Sequence, residues 1–126
     1  MGSNEMIRLF ILIFCFLMLA VTSTAGEADV LSVDIRLGAD GAYTIFVEVE
    51  HADDGWDHYA DAWEVVAPDG TVLATRILAH PHVNEQPFIR SLSGVEIPDD
   101  IQEVRVRGRD LVHEYGGKEI SVPVPR

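Results

Sequence analysis

The chain has 126 residues and a formal net charge of −12 at neutral pH, from nine Lys and Arg against 21 Asp and Glu. So acidic a surface repels phosphate backbones, which excludes nucleic acid as a partner. The one cysteine, Cys15, and the three methionines all precede Leu19, so the rest of the chain carries no sulfur. Disulfides, thiolate nucleophiles, iron–sulfur clusters, blue copper and soft Cu(I) sites built on Met and Cys are thereby excluded for that part.

Arg8 precedes an unbroken apolar run, Leu9–Val21, and Ser23 and Ala25 then occupy the −3 and −1 positions of a signal peptidase site. This pattern predicts a cleaved secretory signal peptide over residues 1–25 and a mature domain over 26–126. The run is shorter than the roughly 20 residues a bilayer span needs, so no membrane association is expected after cleavage. Cys15 lies inside the run rather than after it, where a lipid anchor would sit. Cleavage removes Arg8 and Glu5 together, so the mature charge stays at −12. The expected location is periplasmic or secreted.

The mature part is rich in Val and Ile, which favours strands. Leu31, Val33, Ile35 and Leu37 alternate with polar residues, and Gly38-Ala39-Asp40-Gly41 reads as a turn. Tyr43, Ile45, Val47 and Val49 form a second period-2 run, followed by a polar loop, Ala52–Asp57. Tyr59–Ala67, carrying Trp63 and Val65, is a third strand, and Pro68-Asp69-Gly70 turns it into a fourth, Thr71–Ala79. A loop over His80–Pro87 leads to a short fifth strand, Phe88–Leu92, broken off by Gly94 and Pro98. Val104 and Val106 alternate with Arg105, Arg107 and Arg109 in a sixth. After a loop ending in Tyr115-Gly116-Gly117, Glu119–Val124 is a seventh. Pro123 and Pro125 withhold N–H donors on one side of it, which suits an edge strand. No segment of the mature part has helical periodicity, and there is no internal repeat.

Seven short strands in about a hundred residues predict an all-β, seven-stranded antiparallel sandwich. Their order resembles the immunoglobulin-like and fibronectin-type-III-like folds, in a branch without the Cys pair, with Trp63 where such sandwiches bury an aromatic. A seven-stranded open barrel is the alternative. Three stretches, Gly55-Trp56-Asp57-His58-Tyr59-Ala60-Asp61, His80 through Phe88, and Tyr115-Gly116-Gly117, are similar to a group of small secreted bacterial proteins of unassigned function. That resemblance implies a bacterial periplasmic setting and carries no activity with it.

With each strand reversing direction, His51, His58, His80, His82 and His113 all fall at one end of the sandwich. Asp53, Asp54, Asp57, Glu85 and Glu114 fall there too. His80-Pro81-His82 is the sharpest local feature, because residues i and i+2 of an extended chain share a face and two imidazoles can chelate one ion. Glu85 could add an oxygen ligand, and His51 or His113 could complete four-coordination. His58, between Asp57 and Tyr59, is a candidate for a ligand or for a group supporting one. The plain alternative is a polar loop whose histidines bond backbone carbonyls. Asp53-Asp54-Gly55 with Asp57 lacks the EF-hand spacing and reads as a surface turn rather than a calcium loop. The Arg105, Arg107 and Arg109 stripe reads as a solvated face paired with acids on neighbouring strands.

No Gly-x-Ser-x-Gly elbow is present, and a mature chain opening on Gly26-Glu27 lacks the N-terminal His of a copper brace. No catalytic residue is assigned, and the protein is expected not to be an enzyme. The sequence therefore predicts an exported protein that binds a divalent transition metal, Cu(II), Zn(II) or Ni(II), for sequestration or transfer to a periplasmic partner. A non-enzymatic adhesion or protein-interaction module using the same acidic loop end is the competing expectation. A small metal-dependent enzyme is a third. The leader pattern itself makes a measurable statement: intact-mass analysis of exported material should show a chain beginning at Gly26, and a mass retaining residues 1–25 would refute the cleavage.

Overall fold

The structure is a computed structural model that describes residues 26–126. The signal peptide expected over 1–25 lies outside the described residues. Seven strands form: β1 (Asp29–Leu37), β2 (Tyr43–Glu50), β3 (Ala60–Val66), β4 (Val72–Ile77), β5 (Phe88–Val95), β6 (Glu103–Asp110) and β7 (Ile120–Pro123). Alternation decides how they pack. In β2, Tyr43, Ile45, Val47 and Val49 are buried, whereas Thr44, Phe46 and Glu48 are only part-covered. β6 buries Val104, Val106, Gly108 and Asp110 and turns its arginines outward. A strand directs every second side chain to one face, so each sheet offers one apolar face to a common core.

All pairings are antiparallel, in two sheets ordered β1-β2-β5 and β4-β3-β6-β7. The barrel alternative is therefore set aside in favour of two sheets. Between them lie Trp63, fully buried, with Ile45, Val47, Val49, Val65, Val104, Val106 and Phe88. Trp63 and the Val104/Val106 face thus stand where the alternation predicted.

Two expected strand patterns shift for a local reason. β1 starts earlier than Leu31, and a register shift between Val30 and Ser32 turns Val30, Val33 and Ile35 inward while Leu37 stays exposed. β5 does not stop at Leu92. Leu92 and Val95 face Ile45 and Tyr43, so β5 carries one extra residue, and Gly94 takes a positive φ of 70° there. A bulge absorbs the glycine that the sequence alone reads as a break.

The outer face of the four-stranded sheet is laced by ions. Arg105 pairs with Glu119 at 2.7 Å, Arg107 with Glu64 at 3.0 Å, and Arg109 with Asp61. The arginine stripe is thus matched by acids on neighbouring segments. β7 pairs only with β6 and is an edge, as its prolines require. The Pro68-Asp69-Gly70 turn closes with Ala67 and Thr71 bonded at 2.8 Å and Gly70 at φ 91°.

At one end of the sandwich, β2 runs out into His51, the chain enters β3 after His58, β6 stops at Asp110, and Gly26 leads towards β1. Because Trp63 has no exposed surface, Trp63→Ala should lower the unfolding free energy by about 3–5 kcal/mol in a chemical denaturation series. Wild-type stability in that variant would remove Trp63 from the core.

Candidate metal centre

His51 continues the inward parity of β2 one residue past the strand and is buried to 3% exposure. Its Nδ1 lies 2.5 Å from Asp53 Oδ1. Asp53 itself is buried, and its Oδ1 also accepts the Ala60 N–H at 2.9 Å while Oδ2 accepts the His82 N–H at 2.8 Å. A carboxylate that accepts from main-chain donors on both oxygens makes His51 the donor through Nδ1–H. Neutral His51 therefore presents a bare Nε2, the tautomer that a metal ligand needs.

That Nε2 faces His58 Nε2 at 3.2 Å and the Gly26 carbonyl oxygen at 2.9 Å. His58 Nε2 in turn lies 3.1 Å from Asp110 Oδ1. One donor atom each from His51, His58 and Asp110 falls within 4.8 Å of the others. Ligand atoms bound tetrahedrally at 2.0–2.1 Å stand about 3.3 Å apart, close to the spacings between neighbouring pairs here. Two of the three spacings are those of a coordination shell, and the third lies within 4.8 Å.

Asp110 carries the electrostatics. It is completely buried, and burial pushes its carboxyl up. The main-chain N–H groups of His113 and Val112, together with the nearby His113 and His51 rings, outweigh that and hold it below the ordinary carboxylate range. The two N–H groups donate to Oδ1 at 2.7 and 2.9 Å, and His113 Nδ1 is 3.2 Å from the same atom. Every one of these contacts falls on Oδ1. Oδ2 is buried and has no hydrogen-bond partner among the described residues. An ionised carboxylate oxygen without donors, away from water, is a group that calls for a cation. Glu114, at φ 61°, closes the turn that aims the Val112 and His113 N–H groups back at Asp110.

His113 sits at the rim with its side chain 34% exposed and its ring 5.2 Å from that of His58. His80 and His82 form a separate group. Their rings are 4.6 Å apart, as the i, i+2 spacing requires. His82 stacks on Phe88 at 4.0 Å, and its Nε2 accepts from Arg90 at 2.9 Å, so that lone pair is already used. His80 Nδ1 faces the Pro81 carbonyl, and Glu85 is largely exposed beside Arg90. Among the described residues, His80, His82 and Glu85 do not join the His51–His58–Asp110 group. His82 is instead linked to it through the shared Asp53 carboxylate. Gln86 reinforces the link by accepting from the His51 N–H and donating to the His82 carbonyl, each at 3.0 Å.

Asp110 is the residue that sequence reasoning missed. The sequence pattern makes it the first residue of the loop after the sixth strand, although it shares parity with Val104, Val106 and Gly108. A charged residue in phase with a core face was the available signal.

A protein of Halomicrobium mukohataei described as "Putative lipoprotein" is 40% identical to this chain over 96 residues, which are 76% of the chain and 47% of that protein. The chain thus spans about half the length of that relative. No family model matches the sequence. No solved structure matches either. Among the described residues, no helix is long and apolar enough to cross a membrane.

The His82 ring gives a pH prediction. Burial pushes its pKa below the ordinary imidazole value, and the Arg90 and His80 charges act in the same direction. The unfolded chain takes up a proton at His82 as pH falls through about 6.5, whereas the folded chain resists it. Its contribution to stability is thus fully present above that pH and is lost as pH falls further. Melting temperatures measured in chelator should drop on acidification below pH 6.5, and the drop should shrink in His82→Gln. An unchanged pH slope in that variant would assign the loss to the other histidines.

Proposed function

We propose that this is an exported protein that binds one divalent transition metal ion through His51, His58 and Asp110, with His113 at the rim. The observation that carries the reading is the group of His51 Nε2, His58 Nε2 and the Asp110 carboxylate spaced as ligands, with the buried Asp110 Oδ2 left without a donor. Two nitrogens and one carboxylate oxygen suit Zn(II), Cu(II) or Ni(II), and a sulfur-free domain does not suit Cu(I). Asp53 stands behind His51 as an orienting carboxylate, an arrangement that raises ligand basicity. Export is supported by the leader pattern and by a relative described as a lipoprotein. The sheet orders β1-β2-β5 and β4-β3-β6-β7 support the immunoglobulin-like reading of the sandwich. We assign the domain to metal sequestration or hand-over rather than to catalysis.

A second reading rests on Trp56, Leu111 and Val112, which are 67%, 42% and 58% exposed on the loops that carry His58 and His113. Such an apolar rim suits contact with a partner protein. The two readings combine if the ion is passed to that partner.

Calorimetric titration of untagged 26–126 with Zn(II) and Cu(II) should give one-to-one binding near neutral pH. His51→Ala, His58→Ala or Asp110→Asn should each weaken it at least tenfold, with Asp53→Asn losing about 10–100-fold. The pair His80→Ala/His82→Ala should leave the stoichiometry intact. Loss of binding in that pair alone would return the site to the His80-Pro81-His82 segment, and no one-to-one binding of any such ion would leave the protein-contact reading.

A further inference from the structure

Two glycines clamp the start of the described chain against the centre. A Cβ at Gly117 would lie 2.0 Å from the Ala28 carbonyl oxygen, and one at Gly108 would lie 3.0 Å from the Ala28 Cβ. Only hydrogen at Gly117 allows this approach, whereas a Cβ at Gly108 would need Ala28 to give by a few tenths of an ångström. Ala28 is buried, the Val30 N–H donates to the Lys118 carbonyl at 2.8 Å, and Asp29 Oδ1 accepts the Lys118 N–H at 2.7 Å. Gly26 is therefore two residues from a fixed point. Its carbonyl oxygen, 2.9 Å from His51 Nε2, faces a nitrogen whose ring proton is committed to Asp53 on the other side. Two acceptors at that distance repel each other unless a second ring proton or a metal cation lies between them, and an ion at the centre would take the place of that proton. Three side-chain donors also leave a four-coordinate ion one ligand short.

We propose that the main chain of Gly26 completes the metal centre, and that cleavage of the leader before Gly26 arms it. The proposal rests on the metal reading above. As an internal residue, Gly26 offers the ion a carbonyl oxygen. As the first residue, it also offers a primary amine, and the amine nitrogen and carbonyl oxygen of one residue close a five-membered chelate ring. Nitrogen donors of this kind suit the same ions as imidazole, Cu(II) most strongly in the divalent series. The ion is then bound tightly only by processed protein, so loading follows export. The Tyr115-Gly116-Gly117 segment acquires a purpose in this arrangement: Gly117 is a positioning residue that lets Ala28, and so Gly26, reach the centre. Gly26 itself is not constrained to be glycine, since a Cβ there meets nothing within 4 Å.

The test compares wild-type 26–126, which contains every described strand, with a free amine and with the same chain N-acetylated enzymatically. A third form retains Thr24-Ala25. Cu(II) and Zn(II) affinities are measured by competition, and Cu(II) spectra by electron paramagnetic resonance. Both blocked forms should bind Cu(II) at least tenfold more weakly, and the acetylated form should show one nitrogen fewer in its spectrum. Acetylation changes no side chain, so misfolding cannot imitate the result. Gly26→Ala with a free amine should stay within twofold of wild type, and Gly117→Ala should lose affinity with its three ligands in place. Equal affinities and spectra in free and blocked forms would overturn the proposal. If His51→Ala still abolished binding in that case, the His51–His58–Asp110 reading would stand without Gly26. Tight Cu(II) binding by the free-amine His51→Ala variant would also overturn it, because the terminal peptide would then bind alone. Absence of binding in every form would overturn both.

Discussion

Two carboxylates with almost no access to water, Asp53 and Asp110, govern what the loop end of this sandwich can be. A buried charge persists only where donors or cations surround it. Asp53 meets that condition within the chain. Its oxygens take the main-chain N–H groups of Ala60 and His82 and the ring N–H of His51. In doing so it ties the segment after β2, the start of β3 and the segment after β4 into one rigid corner. Asp110 meets the condition on one oxygen and leaves the other bare. The same residue type thus serves as a structural hub at one position and keeps one oxygen without a donor at the next.

The difference has consequences for preorganisation. His51 cannot rotate freely, because Nδ1 is held by a carboxylate that is itself held from two sides. Its Nε2 is therefore held in place, which for an ion at the proposed centre would remove part of the ordering entropy of binding. His58 is half-enclosed between the rings of His51 and His113. The overall charge of −12 adds a general attraction for cations, which salt screens and which has no selectivity among them. For an ion at the proposed centre, selectivity would come from the two nitrogens and one oxygen there.

On the outer face of the four-stranded sheet the charged side chains pair with one another. The arginines of β6 meet acids across the outer sheet face, and Arg107 lies 3.9 Å over the Tyr115 ring. These partly exposed pairs contribute modestly to stability, but they remove the basic stripe from the set of candidate sites. What singles out the His51 end of the molecule is that Asp110, with one oxygen left without a donor, is grouped with two imidazoles.

Composition and alternation determined much by themselves. The absence of sulfur beyond Met18 limited the metal chemistry to nitrogen and oxygen donors, and period-2 runs located seven strands, the core role of Trp63 and the edge role of β7. Strand reversal alone brought all five histidines to one end. The tertiary structure decided which of them meet. His80-Pro81-His82 stood out because its spacing is local, yet Arg90 occupies the His82 lone pair from the neighbouring strand. Of the residues that do converge, His51 and His58 lie seven positions apart on one loop, whereas Asp110 is 52 positions beyond His58 and is brought to them by the pairing of β3 with β6. The approach of Gly26 depends on glycines some 80 and 90 positions later. Side-chain proximity across sheets is a property of packing, and a linear pattern carries no record of it.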